Sequence, residues 1–382
     1  MTSASASRAP APLPLSIITG FLGAGKTTLL NALLRSPELA DTVVIINEFG
    51  EIGLDHLLVE RAEGDMLVLS SGCLCCSIRG DLITTLEDLL RRRDNGRMPP
   101  FGRVLIETTG LADPAPVLHT IMYHPYLMLR FGLDGVVTLV DAINGAATLD
   151  AHAEAVKQVA VADRLVLTKS DLVDTPQQRE ALGTLLDRLR LLNPAATILD
   201  AAKGEATAAA LLDAGLYDPS RKIADVGRWL RAEAYADASR EHDHAHGHGQ
   251  HRHDVNRHDA HIRAFCLRSE ALIAPAAFEM FLALLRSQHG PRLLRVKGIV
   301  ALADDPSRPV VIHGVQHLFH PPVRLAAWPD PDHSTRIVFI MRDMPAGFVE
   351  ELWGAFTGAP DGPDAAALAD NPLAPRLGGL LG

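Results

Sequence analysis

The sequence predicts an α/β protein: a doubly wound, mostly parallel sheet followed by a smaller C-terminal α+β domain. Three observations carry this. Short apolar runs recur between Leu15 and Leu199, helix-patterned stretches lie between them, and the composition breaks sharply over 232–261.

The runs are LSII (15–18), TVVII (42–46), MLVL (66–69), VLIE (104–107), GVVTLV (135–140), RLVL (164–167) and TIL (197–199). They are continuously hydrophobic, as strands buried on both faces of a parallel sheet are. Helical stretches such as Lys26–Leu34, Leu82–Arg92 and Gln177–Leu192 alternate with them, which is the doubly wound pattern. Residues 1–14, small and proline-rich, read as a disordered leader, and 15–231 as the nucleotide-binding domain argued below. Residues 232–261 read as a polar, His-rich linker with almost nothing to bury. The expected C-terminal domain spans 262–357: strand IRAFCL (262–267), a helix near Ala274–Ser287, strands LLRVKGIVAL (293–302), PVVIHG (309–314) and IVFIM (337–341), and a helix near Ala346–Phe356. Residues 358–382 read as a flexible tail.

The chain has 382 residues, is 47% hydrophobic and 21% charged, and contains no apolar run of membrane-spanning length. Its start lacks the apolar stretch of a signal peptide, so the expected location is the cytoplasm, with no membrane partner. A net charge of −10 argues against nucleic acid as a partner. Arg91-Arg92-Arg93 is expected to be a solvated helix end, and Cys266, between Phe265 and Leu267, a small core residue.

Gly20-Phe-Leu-Gly23-Ala24-Gly25-Lys26-Thr27 matches G-x-x-x-x-G-K-[ST] after one strand and before the helix TTLLNALL. Glycines allow the loop whose N–H groups face phosphate oxygens, Lys26 supplies charge to the β- and γ-phosphates, and Thr27, followed by Thr28, can ligate Mg²⁺. The base is chosen elsewhere. Thr168-Lys169-Ser170-Asp171 follows the run RLVL, at a strand's C-terminal end where open α/β sheets bind ligands. The Asp171 carboxylate can accept both N1–H and the 2-amino group of guanine, and the Lys169 stem can pack on the ring, so GTP is expected over ATP. Glu107-Thr-Thr-Gly110 follows VLI; its carboxylate can reach Mg²⁺ through water and its glycine N–H the γ-phosphate.

Cys73, Cys75 and Cys76 sit together after MLVL. In a reducing compartment three such thiols suit Zn²⁺, Cu⁺ or Co²⁺, or alternatively a redox switch. The segment Asn47-Glu48-Phe-Gly-Glu-Ile-Gly-Leu-Asp55 reads as a switch, with Glu48 or Asp55 a candidate to orient the attacking water. His242, His244, His246, His248, His251 and His253, with His258 and His261 beyond, could collect metal, or could belong to a plain solvated linker.

Together GFLGAGKTTLLN, NEFGEIGLD, SGCLCC, ETTGLADP and TKSD resemble, in order, the CobW-type family of metal-linked P-loop GTPases, over about 14–357. The resemblance extends to the His-rich linker and to RVKGIVAL, VIHGVQHLFHPP and Trp328. It implies GTP hydrolysis to GDP, Mg²⁺ held by Thr27 and Glu107, guanine held by Asp171, and a transferred metal on Cys73, Cys75 and Cys76. Family clients range from zinc and cobalt delivery to activation of metal enzymes such as nitrile hydratase. The expected function is a metallochaperone that passes zinc, or cobalt or another transition metal, to an apo-metalloenzyme client. A redox- or metal-sensing regulatory GTPase that transfers no metal is the alternative, passive metal storage a third reading, and a homo-oligomer is left open.

Overall fold

The computed structural model describes residues 12–47, 59–61, 67–71, 78–212, 262–316, 318–319, 322–345 and 347–358. Eight strands form the first sheet: β1 (Leu13–Gly20), β2 (Thr42–Asn47), β3 (Val59–Arg61), β4 (Leu67–Ser71), β5 (Arg103–Glu107), β6 (Phe131–Asp141), β7 (Arg164–Thr168) and β8 (Thr197–Asp200). Their order is β3-β4-β2-β5-β1-β6-β7-β8. Every neighbouring pair is parallel except β3 with β4.

Six of the seven apolar runs fall wholly within parallel strands, and MLVL does so from Leu67 onward, Met66 lying outside the described residues. β1 opens at Leu13, inside the stretch expected to be leader. The edge strand β3 reads Val-Glu-Arg, too short and polar to signal itself. β6 begins at Phe131, well before the expected Gly135. The register between β1 and β6 shifts so that Leu15 faces Leu133 while Ser16 faces Gly135. Asp134 is the extra residue, and such a bulge re-aims a side chain. Its carboxylate accepts from Ser16 Oγ at 3.0 Å and pairs with Arg103 at 2.5 Å, which satisfies a group only 6% exposed.

The helices are α1 (Lys26–Leu33), α2 (Ile78–Asp94), α3 (Ala115–Tyr123), α4 (Leu127–Arg130), α5 (Gly145–Ala151), α6 (Ala153–Val161), α7 (Pro176–Leu192) and α8 (Ala208–Leu211). Leu15, Ile17, Val43, Ile45, Val104 and Ile106 turn one sheet face towards α2 and α3. The alternate residues Ile18, Val44, Leu105 and Val137 pack on α1 and α8. Arg91, Arg92 and Arg93 lie in the last turn of α2, where cations oppose the helix dipole. α7 starts in a capping box: Thr175 accepts from Gln178 N–H, the Gln178 side chain accepts from Thr175 N–H, and Pro176 opens the helix.

The C-terminal sheet comprises β9 (Ile262–Ser269), β10 (Leu293–Val300), β11 (Val310–Val315), β12 (Leu318–Phe319), β13 (Val323–Arg324) and β14 (Thr335–Arg342). It is antiparallel, ordered β12-β11-β10-β14-β9, with β13 beside β11. α9 (Pro275–His289) and α10 (Phe348–Thr357) cover it, and Trp353 meets Phe281 edge-on at 5.1 Å. Cys266 is half-buried on β9, and burial pushes its thiol up to about 11, which suits an inert packing residue.

β10 is buried along its whole length because the first domain packs against it. Ile262, Leu294 and Ile340 share one apolar cluster with Val156, Leu165 and Leu185. A charged clasp sits in this seam. Asp163 accepts from Arg295 Nη2 at 2.6 Å, from Lys297 Nζ, and from Val136 N–H at 2.9 Å. Arg295 Nη1 also donates to Val161 O at 2.8 Å. Burial opposes ionisation of Asp163, but Arg295 and Lys297 outweigh it and hold the carboxyl well below its ordinary value. Burial, with Arg295 nearby, pushes the Lys297 amine down to about 8, against the pull of Asp163.

Candidate nucleotide site

β1 lies between β5 and β6, so the loop after it opens at a reversal of strand order, where α/β sheets form crevices. Gly23 and Gly25 have φ of 74° and 87°, a region that side-chain-bearing residues rarely enter. That geometry turns the chain directly into α1, whose first turn presents Thr27 and Thr28 to solvent. The Lys26 ammonium donates to Gly20 O at 2.9 Å and to Phe21 O at 3.2 Å, which fixes the charge across the loop's mouth. Thr168 Oγ1 donates to Ala24 O at 2.9 Å and so ties the P-loop to the end of β7.

The Thr168-Lys169-Ser170-Asp171 segment follows at once. Lys169 takes a left-handed φ of 59°, which turns Ser170–Leu172 into a short 3-10 turn with Asp171 exposed. Lys169 Nζ donates to Asp141 Oδ2 at 2.6 Å. Asp141, at the end of β6, also accepts from the N–H groups of Ile143 and Asn144 at 2.8 and 3.1 Å. Burial would raise its carboxyl, but Lys169 and these N–H groups together hold it below the usual range. On the far side, Ser170 Oγ donates to Asp200 Oδ1 at 2.5 Å, and Lys203 lies 3.1 Å from Asp200 Oδ2.

Glu107 ends β5 level with Ile18 of β1 and Ile46 of β2, and is only 4% exposed. Thr108 Oγ1 donates to Thr19 Oγ1 at 2.8 Å. Gly110 lies so close to the P-loop that a Cβ there would sit 2.6 Å from Leu22 N, so only glycine fits. Beside this contact a cavity of about 240 Å³, lined by Phe21, Leu22, Asn144, Thr148, Gln158 and Lys169 among others, separates the P-loop tip from α5 and α6.

The structure therefore gathers Gly20, Gly23, Ala24, Gly25, Lys26, Thr27, Thr28, Glu107, Gly110, Thr168, Lys169 and Asp171 at one sheet edge. Glu48, Asp55, Cys73, Cys75, Cys76, His242, His244, His246, His248, His251 and His253 lie outside the described residues. Among the described residues, no group of three or more His, Cys, Asp or Glu could hold a metal ion. The donor set at the P-loop does fit Mg²⁺, since an exposed hydroxyl at Thr27 in the first turn of α1 and a buried carboxylate at Glu107 at the end of β5 are hard oxygen ligands. Three residues were missed at sequence level: Asp141, Asp200 and Gln158. The two aspartates end the apolar runs GVVTLV and TIL, the position that singled out Thr168–Asp171.

The pattern of the family described as "CobW/HypB/UreG, nucleotide-binding domain" matches residues 14–200, and that of the "Cobalamin synthesis protein cobW C-terminal domain" matches 262–357. The chain belongs to the CobW family of P-loop GTPases. It is 31% identical over 352 residues to the zinc chaperone YjiA of Escherichia coli, covering 91% of this chain and 98% of that one. Identity to the zinc chaperone CobW of Pseudomonas aeruginosa is 31% over 367 residues, covering 87% and 88%. Against the zinc-regulated GTPase metalloprotein activator 1 of Schizosaccharomyces pombe it is 30% over 298 residues, covering 72% and 66%. The crystal structure of Zn(II)-bound E. coli YjiA superposes with a TM-score of 0.67 at 26% identity, covering 91% of this chain and 99% of that one. The CobW architecture, a parallel nucleotide-binding sheet joined to an antiparallel C-terminal domain, is thus common to both. Among the described residues no helix is long and apolar enough to cross a membrane.

Proposed function

We propose that this protein is a GTP-driven metallochaperone of the cytosol, which takes up zinc as cargo on Cys73, Cys75 and Cys76 and passes it to an apo-metalloenzyme. One observation carries the reading: the chain matches, over 91% of its length, a GTPase crystallised with Zn(II). The thiolate chemistry of the CxCC string agrees with that cargo.

In this reading the N–H groups from Gly20 to Thr28 cradle the phosphates, and Lys26 swings from the Gly20 and Phe21 carbonyls to the β- and γ-phosphate oxygens. Asp171 accepts from guanine, and Lys169, held by Asp141, lays its stem against the ring. Thr27 and Glu107 would hold Mg²⁺, which when bound would neutralise charge on the transferred phosphoryl group. Glu48 or Asp55 orients the water that attacks the γ-phosphorus, and the bond to the β–γ bridging oxygen breaks as GDP leaves. Gly110 reports the γ-phosphate. The histidines from His242 to His253 collect and buffer metal for the thiolates.

The experiment is zinc affinity, measured by chelator competition in reductant, with a non-hydrolysable GTP analogue and with GDP, each with Mg²⁺. Tighter zinc binding in the GTP state, by about 5- to 150-fold, is expected, and serine at all three cysteines should remove the difference while nucleotide binding persists. Equal zinc affinity in both states overturns the chaperone cycle and leaves a static or redox-sensing site.

A further inference from the structure

Gln158 is a polar side chain in the middle of α6, yet it is only 1% exposed. Its Nε2 donates to Ala112 O at 2.9 Å and to Gly110 O at 3.2 Å. Both acceptors lie on the segment that follows Glu107. Its own backbone carbonyl accepts from Thr138 Oγ1 at 2.8 Å, so the residue is fixed to β6 as well. One residue earlier, Lys157 pairs with Asp113 at 3.4 Å on the same segment. Two side chains of α6 therefore hold the stretch 110–113, and Gly110 in turn rests on the P-loop at Leu22.

The C-terminal end of α6, one turn beyond Gln158, belongs to the domain seam. Val161, its last residue, accepts from Arg295 on β10, and Asp163 two residues on takes Arg295 and Lys297. α6 packs directly on β10, and Val156 and Val159 share a core with Leu294. One short helix thus touches the γ-phosphate loop at Gly110 and Ala112 and the C-terminal domain at Arg295. A rigid helix couples the elements packed on it, so a displacement of the loop at Gln158 is felt at the seam one turn on.

We propose that α6 is the strut that carries the nucleotide state of the 107–113 loop to the C-terminal domain, with Gln158 as the positioning residue where the helix meets the loop. This rests on the GTPase reading but not on metal delivery. Gln158 acts through the loop, because its amide N–H groups are taken by Gly110 O and Ala112 O. It sets where the Gly110 peptide lies, and so whether a γ-phosphate is registered and relayed. A loop set by Gln158 discriminates GTP from GDP, whereas the guanine contacts serve both nucleotides alike.

The test uses the full-length protein and Gln158→Met, which keeps the bulk and removes both donors. Hydrogen exchange of β10 (Leu293–Val300) is compared with a non-hydrolysable GTP analogue and with GDP. In the unmodified protein the two nucleotides should protect β10 differently. In Gln158→Met that difference should vanish, kcat for GTP should fall about tenfold or more, and GDP affinity should stay within about twofold. Lys157→Ala, partly exposed and tolerant, should move the same readouts in the same direction by less, which keeps the question open to test if Gln158→Met folds poorly. Identical β10 exchange with both nucleotides in the unmodified protein overturns the strut. So does a Gln158→Met protein that retains the difference, or one that loses GDP and GTP affinity equally, as plain structural damage would. If zinc affinity proves independent of nucleotide while these effects are present, metal delivery fails and the strut stands.

Discussion

The two ends of the β6–β7 pair carry the same chemistry in different solvents. At the C-terminal edge Asp141 receives Lys169, whose side chain is 36% exposed. Beyond the opposite edge Asp163 receives Arg295 and Lys297, and all three side chains are 6% exposed or less. An ion pair that water reaches adds little stability but can hold a lysine stem in one orientation. An ion pair sealed from water adds little over an apolar contact while intact, and costs heavily when one partner is removed. The wet pair therefore suits a binding edge, and the dry one suits a seam between domains that must keep one register.

The largest effect expected follows from the dry end. Asp163→Ala leaves Arg295 and Lys297 buried without their counter-ion, and should lower stability by about 3–5 kcal/mol in denaturant unfolding. Replacing all three by apolar residues of similar volume should recover most of the loss. Asp163 titrates below its unfolded value of about 3.8, so its contribution is present above that pH and fades as pH falls below it. Lys297 is also depressed, to about 8, so between there and about 10.5 the unfolded chain holds a proton that the folded chain has released. Its contribution therefore grows with pH across that window. Stability of Asp163→Ala that matches the parent, with an unchanged acid limb, would show that the seam does not depend on the clasp.

A smaller effect belongs to the wet end. Asp171 is exposed and takes no part in the core, so Asp171→Asn should leave unfolding unchanged. It should cost about 1.5–3 kcal/mol of GTP affinity, the range for hydrogen bonds to a charged group. Xanthosine triphosphate, whose 2-oxo group accepts where guanine donates, should bind the variant better than GTP does. Equal affinity of the unmodified protein for GTP and ATP would remove Asp171 from base selection.

The contrast also explains what the sequence could and could not convey. The P-loop and the Thr168–Asp171 string were legible because their chemistry is local, a few residues at one strand end. The clasp was not. Arg295 and Lys297 alternate within LLRVKGIVAL, which marks one charged strand face, but their acceptor lies 132 and 134 residues away and nothing local names it. Asp134 is hidden for a related reason, because a register shift between two strands leaves no mark in either strand's pattern. Gln158 looks like any polar residue on an amphipathic helix until the loop it holds is folded onto it.

The smallest expected effect sharpens the comparison most, because it separates orientation from stability at the wet end. Asp141→Asn keeps a side chain that can still accept from Ile143 and Asn144 N–H, but removes the charge that holds Lys169. More than a third of the Lys169 side chain is in water, so the lost pair should cost at most about 1 kcal/mol of folding stability. Binding should suffer comparably, about three- to fivefold, because a freed Lys169 must be ordered again when guanine arrives, at part of the roughly 1.5–2 kcal/mol that fully fixing a lysine side chain costs. GTP and GDP carry the same base, so both should weaken by the same factor and their ratio should not change. That constancy distinguishes Asp141 from Gln158, whose loss should alter the ratio. Isothermal titration with the two nucleotides decides it: a weakening confined to GTP would mean that Asp141 acts on the phosphate loop and not on the base.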